Sequence, residues 1–277
     1  MNRPFLVAQI SDLHLKAGQR LTYGVVDTLA ALRVAVDHLN ASIPRPDIVV
    51  ISGDLVDFGQ PEEYAVLRPE LARLHMPYYL VPGNHDSRQH LLDAFHDHAY
   101  LPDNASGPLD WVVDDYPLRL IGLDSSIPDA HGGQVLDEQL HWLDAQLSLR
   151  PEAPTLLILH HPPFISGIGH MDREPFINAH GLEQVIARHP QVERLLCGHL
   201  HRPIQRRFGG SLSCVCPGTS HQIVLDLQPD APAHFNLEPA GYLLHYWHAQ
   251  HGLVTHTGVF GTYPGPYPFY DAHGLID

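Results

Sequence analysis

Short apolar runs, each stopping at a cluster of aspartate, asparagine or histidine, set the frame of this chain. They are Phe5–Ile10, Ile48–Ser52, Tyr78–Val81, Leu118–Leu123, Thr155–Leu159 and Arg194–Cys197. Runs this short and apolar suit strands buried on both faces better than helices. Between the first two, Val25–Leu39 repeats apolar residues at helical spacing. Later, Asp137–Leu149 sets Leu140, Leu143 and Leu147 on one face. Both predict amphipathic helices. The alternation predicts an α/β protein whose helices cover sheet faces.

The pattern changes after His201. Gly209-Gly210 reads as a turn, Ser211–Cys216 as a strand, and Asp226–Pro239, rich in Pro, Asp and Ala, as a loop. Tyr242–His248 and Leu253–Phe260 flank Ala249–Gly252 as the arms of a hairpin. Residues 1–201 therefore read as the core unit. Residues 202–277 read as further strands, a cap or oligomerisation segment and an aromatic tail. In that tail Tyr263, Tyr267, Phe269 and Tyr270 lie close together, which predicts docking over a partner surface rather than a loose end.

At 277 residues the chain can bury a sizeable core. Lysine and arginine number 16 against 31 aspartate and glutamate, and the formal charge of −15 disfavours a nucleic-acid polymer as partner. The 23 histidines outnumber all the lysines and arginines, and neutral imidazole is the commonest metal ligand. The odd cysteine count (Cys197, Cys214 and Cys216) frames no disulfide scaffold and suits a reducing compartment. Cys214-Val215-Cys216 reads as a buried strand. No apolar run has the length of a bilayer span or of a signal peptide's apolar region. The expectation is a soluble, cytoplasmic protein with no membrane partner.

The chemistry lies at the strand ends. The first run leads into Asp12-Leu13-His14, the second into Gly53-Asp54-Leu55-Val56-Asp57, and the third into Gly83-Asn84-His85-Asp86. Later runs lead into His160-His161 and Gly198-His199-Leu200-His201. In open α/β sheets ligands bind outside the carboxyl ends of the strands, so these endings can share one crevice. Glycine at three of them predicts sharp turns behind the strands. Taken alone, each ending reads as a turn or cap. His96-Asp97-His98, expected on a surface helix, shows that His-x-His also arises by chance. The ordered set, each member after a predicted buried strand, is what carries weight.

In that order, Asp-x-His, Gly-Asp-x-x-Asp, Gly-Asn-His-Asp, a mid-chain His and Gly-His-x-His resemble the calcineurin-like metallophosphoesterase superfamily. Within it the chain is most similar to bacterial class III cyclic-nucleotide and glycerophosphodiester phosphodiesterases. His160-His161-Pro162-Pro163, the following Gly167-Ile168 and Met171-Asp172, Pro217–Gln222, Tyr23-Gly24 and the aromatic tail carry that finer likeness. The resemblance implies a four-layer α/β/β/α sandwich, two mixed sheets flanked by helices, with a small C-terminal cap or dimerisation region. It also implies two divalent metal ions, one held by Asp12, His14, Asp54 and His201. The other would be held by Asp54, Asn84, His160 and His199, with Asp54 shared. Such a pair, roughly 3.5–4 Å apart, clamps a phosphoryl group while a metal-bound hydroxide attacks in line. Mixed nitrogen and oxygen donors favour Mn, Fe, Co or Zn over Mg or Ca.

The remaining roles follow from position and, for His221, from the resemblance. His85 is the candidate acid for the leaving alkoxide, with Asp86 as its orienting partner or a helix cap. Asp57 supports a ligand. Tyr23, Asn178, His221 and the loop Ile165–Asp172 are candidate pocket walls. Protein phosphatases of this superfamily carry Arg and Glu where this chain has Phe58 and Asp86. Arginine clamps dianionic monoesters, so its absence points to a small monoanionic diester. Glycerophosphodiesters are the favoured substrates and 3′,5′-cyclic nucleotides, cyclic AMP in particular, the alternative. A metal-binding buffer or sensor without turnover would tend to lose His85 and would not need donors at strand ends. An amidohydrolase barrel would want His-x-His on its first strand, where this chain has Asp12-Leu13-His14. The subgroup and the tail together predict a homodimer or an assembly of dimers.

Overall fold

The computed structural model describes residues 3–18 and 20–276. Its first half runs β1 (Phe5–Ile10), α1 (Thr28–Ala41), β2 (Ile48–Ser52), α2 (Pro61–Leu71), β3 (Tyr78–Val81), α3 (Arg88–Ala94), β4 (Trp111–Val113) and β5 (Arg119–Gly122). Then come α4 (Asp137–Leu149), β6 (Thr155–Ile158), α5 (Ala179–Arg188), β7 (Val192–Cys197), β8 (Ile204–Phe208) and β9 (Ser211–Val215). Short strands β10 (Gln222–Ile223) and β11 (Phe235–Asn236) precede β12 (Gly241–His248) and β13 (Gly252–Val259). In the tail, β14 (Tyr270–Asp271) pairs with β15 (Gly274–Leu275).

Two mixed sheets result, in the orders β13-β12-β1-β2-β3 and β4-β5-β6-β7-β9-β8. In the first, β1, β2 and β3 run parallel and the antiparallel pair β12–β13 lies on the β1 side; in the second, β5, β6, β7 and β9 run parallel between antiparallel edge strands β4 and β8. Alternation along the second sheet explains the layering. Leu120, Leu156, Ile158 and Leu196 share a core with the first sheet and its helices α1, α2 and α3. Their chain neighbours Ile121, Leu157, Leu159 and Leu195 pack instead on Leu140, Leu143 and Leu147 of α4 and Leu182, Val185 and Ile186 of α5. Side chains of period two thus feed two cores. The sandwich expected from the sequence is the one observed.

Local chemistry sets the element ends. Asp27 Oδ1 accepts the Ala30 N–H at 2.9 Å and starts α1 at Thr28, three residues later than apolar spacing alone predicts. Pro61 opens α2, and Glu63 reaches back to the N–H groups of Phe58 and Gln60. His96 and His98 lie beyond α3, which ends at Ala94, and not on a helix; the His98 ring packs on Tyr78, Phe95 and Tyr100. The segment Asp226–Pro239 is not all loop, since it contains β11, which pairs with β10 just before it.

The chain beyond His201 is woven into both sheets: β8 and β9 extend the second, and β12 and β13 extend the first. The tail shows Tyr267 and Phe269 exposed at 76% and 79%, so its aromatics do not pack into this chain's own core. Among the described residues, no helix is long and apolar enough to cross a membrane.

Gly122 sits beneath the Trp111 indole, and any Cβ there would collide with the ring. Trp111 is itself pinned, its Nε1 donating to the Leu80 carbonyl at 3.0 Å. Gly122→Ala is therefore expected to destabilise the protein by about 1–3 kcal/mol, the usual cost of overpacking a filled core. Urea denaturation against wild type measures it, and an unchanged midpoint would show that Trp111 can move aside.

Candidate metal centre and active site

The carboxyl ends of β1, β2, β3, β6 and β7 converge, and the polar residues that follow them meet in one place. Asp12, His14, Asp54, His199 and His201 all have positive φ, between 45° and 69°. Non-glycine residues adopt this region rarely, and such strain clusters at functional sites. Of the three glycines expected to make sharp turns, only Gly53 does, at φ 92°. Gly83 and Gly198 serve close approach: a Cβ on Gly83 would strike Asp54, and one on Gly198 would strike Ser11.

The donor atoms form two sets joined by one oxygen. In the first, His201 Nε2 lies 3.3 Å from Asp12 Oδ1 and 3.1 Å from His14 Nε2. In the second, Asn84 Oδ1 lies 3.2 Å from His160 Nε2 and 3.1 Å from His199 Nδ1. Asp54 Oδ2 stands between them, 3.6 Å from His14 Nε2 and 3.2 Å from His160 Nε2.

Whether a cation fits can be read from the protons. Nδ1 of His201 faces the His221 carbonyl at 3.1 Å, and Nδ1 of His160 faces the Ser52 carbonyl at 2.7 Å. Carbonyls only accept, so both rings commit an Nδ1–H outward and turn Nε2 inward. His14 Nδ1 faces Asp57 Oδ1 at 3.3 Å, which turns its Nε2 inward as well. Nε2 of His14 and Nε2 of His201 therefore meet at 3.1 Å, beside a buried Asp12 Oδ2 that has no hydrogen-bond partner. Buried carboxylates packed this closely need positive charge among them. The donor set suits a divalent metal at each half.

Electrostatics agree. Burial, and then His160 beside it, hold the His199 imidazole down to about 3; burial and His14 do the same to His201. Both rings are thus kept neutral, the ligating form. Burial also pulls His160 down, but Asp54 outweighs it and holds the ring up to about 9. Burial and repulsion from Asp54 raise Asp12. An excess of buried negative charge is what those two upward shifts describe.

Around the donors lies a cleft of about 550 Å³. His85 Nδ1 donates to the Asp57 carbonyl at 2.8 Å, which leaves Nε2 to face the cleft. Asp86 does not orient it. Its carboxylate instead accepts from the N–H groups of Gly83 and Leu55, at 2.8 and 3.0 Å, and from the Tyr64 hydroxyl at 2.9 Å. Asp86 thus ties the β2 and β3 loops together, while Ser87 caps α3. Asp57 stands behind His14 and is held by Lys16 Nζ at 3.0 Å.

Tyr23 and His221 line the cleft with Phe235, ring centroids 4.9–5.4 Å apart. Burial and the nearby carboxylates push the Tyr23 phenol up to about 12, so it stays a donor. Burial and His201 press His221 down to about 2. Asn178 lies elsewhere. Its Nδ2 donates to the Val135 carbonyl and to Asp137 Oδ1 where α4 and α5 begin, and it does not reach the cleft.

Of the expected loop Ile165–Asp172, His170 and Met171 reach the cleft, joined by Arg173, Glu174, His131 and Phe235, which sequence reasoning missed. Only His131 had a local signal, a histidine among turn residues, and that is too common to single out. His161 is fully engaged: the Ser125 hydroxyl lies 2.9 Å from its Nδ1, and Nε2 donates to the His131 carbonyl at 3.2 Å. It is therefore not a free donor, unlike its neighbour His160.

The profile of the calcineurin-like phosphoesterase family matches residues 5–203. A probable glycerophosphodiester phosphodiesterase GpdQ from Arcobacter nitrofigilis is 40% identical over 98% of this chain and 100% of its own. The 3′,5′-cyclic adenosine monophosphate phosphodiesterase CpdA of Escherichia coli is 29% identical over 78% of this chain and 76% of its own. Among solved structures, a dimetal phosphatase from Danio rerio superposes with a TM-score of 0.63 at 17% identity, over 94% of this chain and 100% of that one. At that identity the likeness concerns the fold alone.

Proposed function

Because the chain belongs to the calcineurin-like phosphoesterase family, we propose that it hydrolyses small phosphodiesters at a dinuclear metal centre, with glycerophosphodiesters as its substrates. The observation that carries this reading is the pair of donor sets sharing Asp54 Oδ2 at the floor of one cleft. Asp12, His14, Asp54 and His201 hold one metal and Asp54, Asn84, His160 and His199 the other, of the Mn, Fe, Co or Zn type. Two such ions clamp and polarise the phosphoryl group and supply a nucleophile from water near neutral pH.

The protein's own groups do the rest. His85 Nε2 faces the cleft and protonates the departing alkoxide. Tyr23 and His221 wall the side of the first donor set, and the phenol donates to a phosphoryl or alcohol oxygen. Diesters fit because the floor carries no arginine clamp. Arg173 is the sole arginine or lysine lining the cleft among the described residues, and it sits exposed at the mouth. The name of the 40%-identical relative supports glycerophosphodiesters. A second reading, cyclic nucleotides, is favoured by the aromatic wall of Tyr23 and Phe235, against which a base can stack.

The test is turnover by metal-stripped protein re-supplied with Mn, Co or Zn, on a glycerophosphodiester, cyclic AMP and an aryl phosphate monoester in parallel. Metal-dependent cleavage of the diesters with little on the monoester is expected, the glycerophosphodiester being fastest. A dominant monoesterase activity would overturn the diester reading; binding of two metals without turnover would leave a buffer or sensor.

Asn84 contacts His160 and His199 but none of the first donor set. Asn84→Ala is accordingly expected to weaken one of two metal-binding steps, by about 10–100-fold, and to leave the other. Calorimetric titration of stripped protein resolves the steps, and equal weakening of both would refute the assignment. Self-association as a dimer or an assembly of dimers is proposed on the exposed Tyr267, Phe269 and Tyr270 of the tail. Light scattering at micromolar concentration should give a multiple of 30.9 kDa, and a monomeric mass would end that proposal.

A further inference from the structure

Beneath the metal ligands a buried polar chain crosses between the two sheets through an otherwise apolar core. Gln9 on β1 is fully buried. Its Nε2 donates twice: at 2.8 Å to Ser52 Oγ, at the end of β2 in its own sheet, and at 2.9 Å to the Cys197 carbonyl, at the end of β7 in the other. Its Oε1 lies 3.2 Å from Nε2 of His245 on β12, which is equally buried. A carboxamide oxygen only accepts, so the His245 proton is on Nε2 and Nδ1 must accept. Thr255 Oγ1 on β13 lies 2.9 Å from that Nδ1 and itself receives Arg194 Nη1 of β7 at 2.6 Å. The donation along the chain thereby runs from Arg194 to Thr255, His245 and Gln9, and from Gln9 to Ser52 and Cys197. A neutral His245 fits this order, since burial and then Arg194 push its ring down to about 3.

The two ends of this strut adjoin the ligands. Ser52 precedes Gly53-Asp54, and its carbonyl receives the His160 Nδ1 proton. Cys197 precedes Gly198-His199. Asp12, Asp54 and Asn84 follow strands of the first sheet; His160, His199 and His201 follow strands of the second. The contacts from Asp54 to His160 and from Asn84 to His199 both bridge the sheets. Apolar contact resists separation of two sheets but has no direction, whereas a hydrogen bond fixes length and angle.

We infer that Gln9 and His245 are positioning residues for the metal centre: Gln9 sets the offset between the sheets at their carboxyl ends, and His245 sets which way round the Gln9 amide lies. This rests on the dinuclear reading above. It gives the hairpin β12–β13, outside the segment 5–203 matched by the family profile, a part in a site to which it contributes no ligand.

The test is Co(II) titration of the stripped protein, followed by its visible absorption, with circular dichroism, thermal melting and turnover of an aryl diester measured alongside. Gln9→Leu keeps the bulk and removes the strut. It should stay folded, bind cobalt about 10–100-fold more weakly and shift the visible bands, because the ligands sit at altered angles. Thr255→Val, at a partly exposed position, loosens only the His245 end and should give a smaller loss of the same sign. Native cobalt affinity and bands in folded Gln9→Leu, with only a lower melting temperature, would overturn the inference. If Gln9→Leu is insoluble, Thr255→Val decides, with native binding as the overturning result. Wild type that binds cobalt but cleaves no diester sinks the functional reading alone, and wild type that binds no cobalt sinks both.

Discussion

Asp54→Ala should yield a folded protein that holds neither metal firmly and turns over diesters about 10³-fold more slowly, or worse. One oxygen, Asp54 Oδ2, serves both donor sets, so its loss cannot be confined to one of them. The magnitude is that of removing the main charge stabilisation of a phosphoryl transition state, several kcal/mol. Stability gives an independent readout. Without metal, Asp12, Asp54 and Asp57 crowd a buried site, and burial and mutual repulsion raise Asp12. Metal that binds only the folded state stabilises it by about 2.7 kcal/mol at a hundredfold excess over its Kd. For a chain of this size that is about 5 °C or more in melting temperature. Wild type should show the shift on adding manganese and Asp54→Ala should not. A full metal-induced shift in the variant would show that Asp54 is not the shared ligand.

The strand ends were legible because their chemistry is local. Asp12-Leu13-His14 follows a run of residues buried on both faces, and polar endings of the same kind recur in order after four later strands. His160 was separable from His161 only through the resemblance. The structure supplies the physical reason: His161 is occupied by Ser125 and the His131 carbonyl, partners far away in sequence. Asp86 and Asn178 were misread for one reason. Each is a small polar residue beside a turn, and which partner it finds depends on loops that sequence spacing does not order. Asp86 reaches back to Leu55 and Tyr64, and Asn178 reaches Asp137. Arg173 and Phe235 lie on segments without periodicity, brought to the cleft only by the tertiary fold. Edge strand β8 was missed because a strand half exposed, such as Gln205-Arg206-Arg207, carries no apolar run, and β4, Trp111–Val113, because three residues are too short a run to stand out. The buried strut through Gln9 was hidden too, since one glutamine in an apolar strand looks like an exception until its partners are seen.

His85→Ala should separate chemistry from metal binding. The ring is held by the Asp57 carbonyl at 2.8 Å and packs edge-on against His14, with centroids 4.6 Å apart, yet it belongs to neither donor set. Metal content should therefore stay at the wild-type level. With Nδ1 committed to a carbonyl, the ring can deliver a proton only from Nε2, on the cleft side, and only as the imidazolium. An alkyl alkoxide leaving from a glycerophosphodiester needs that proton, so kcat on such substrates should fall by about 10²–10⁴-fold. A nitrophenolate leaves without help, and the same variant should lose much less on an aryl diester. The slope of log kcat against leaving-group pKa should accordingly steepen. Equal losses on both substrate classes would instead assign His85 to binding the phosphoryl oxygens. A parallel loss of metal would mean that its contact with His14 supports the first donor set.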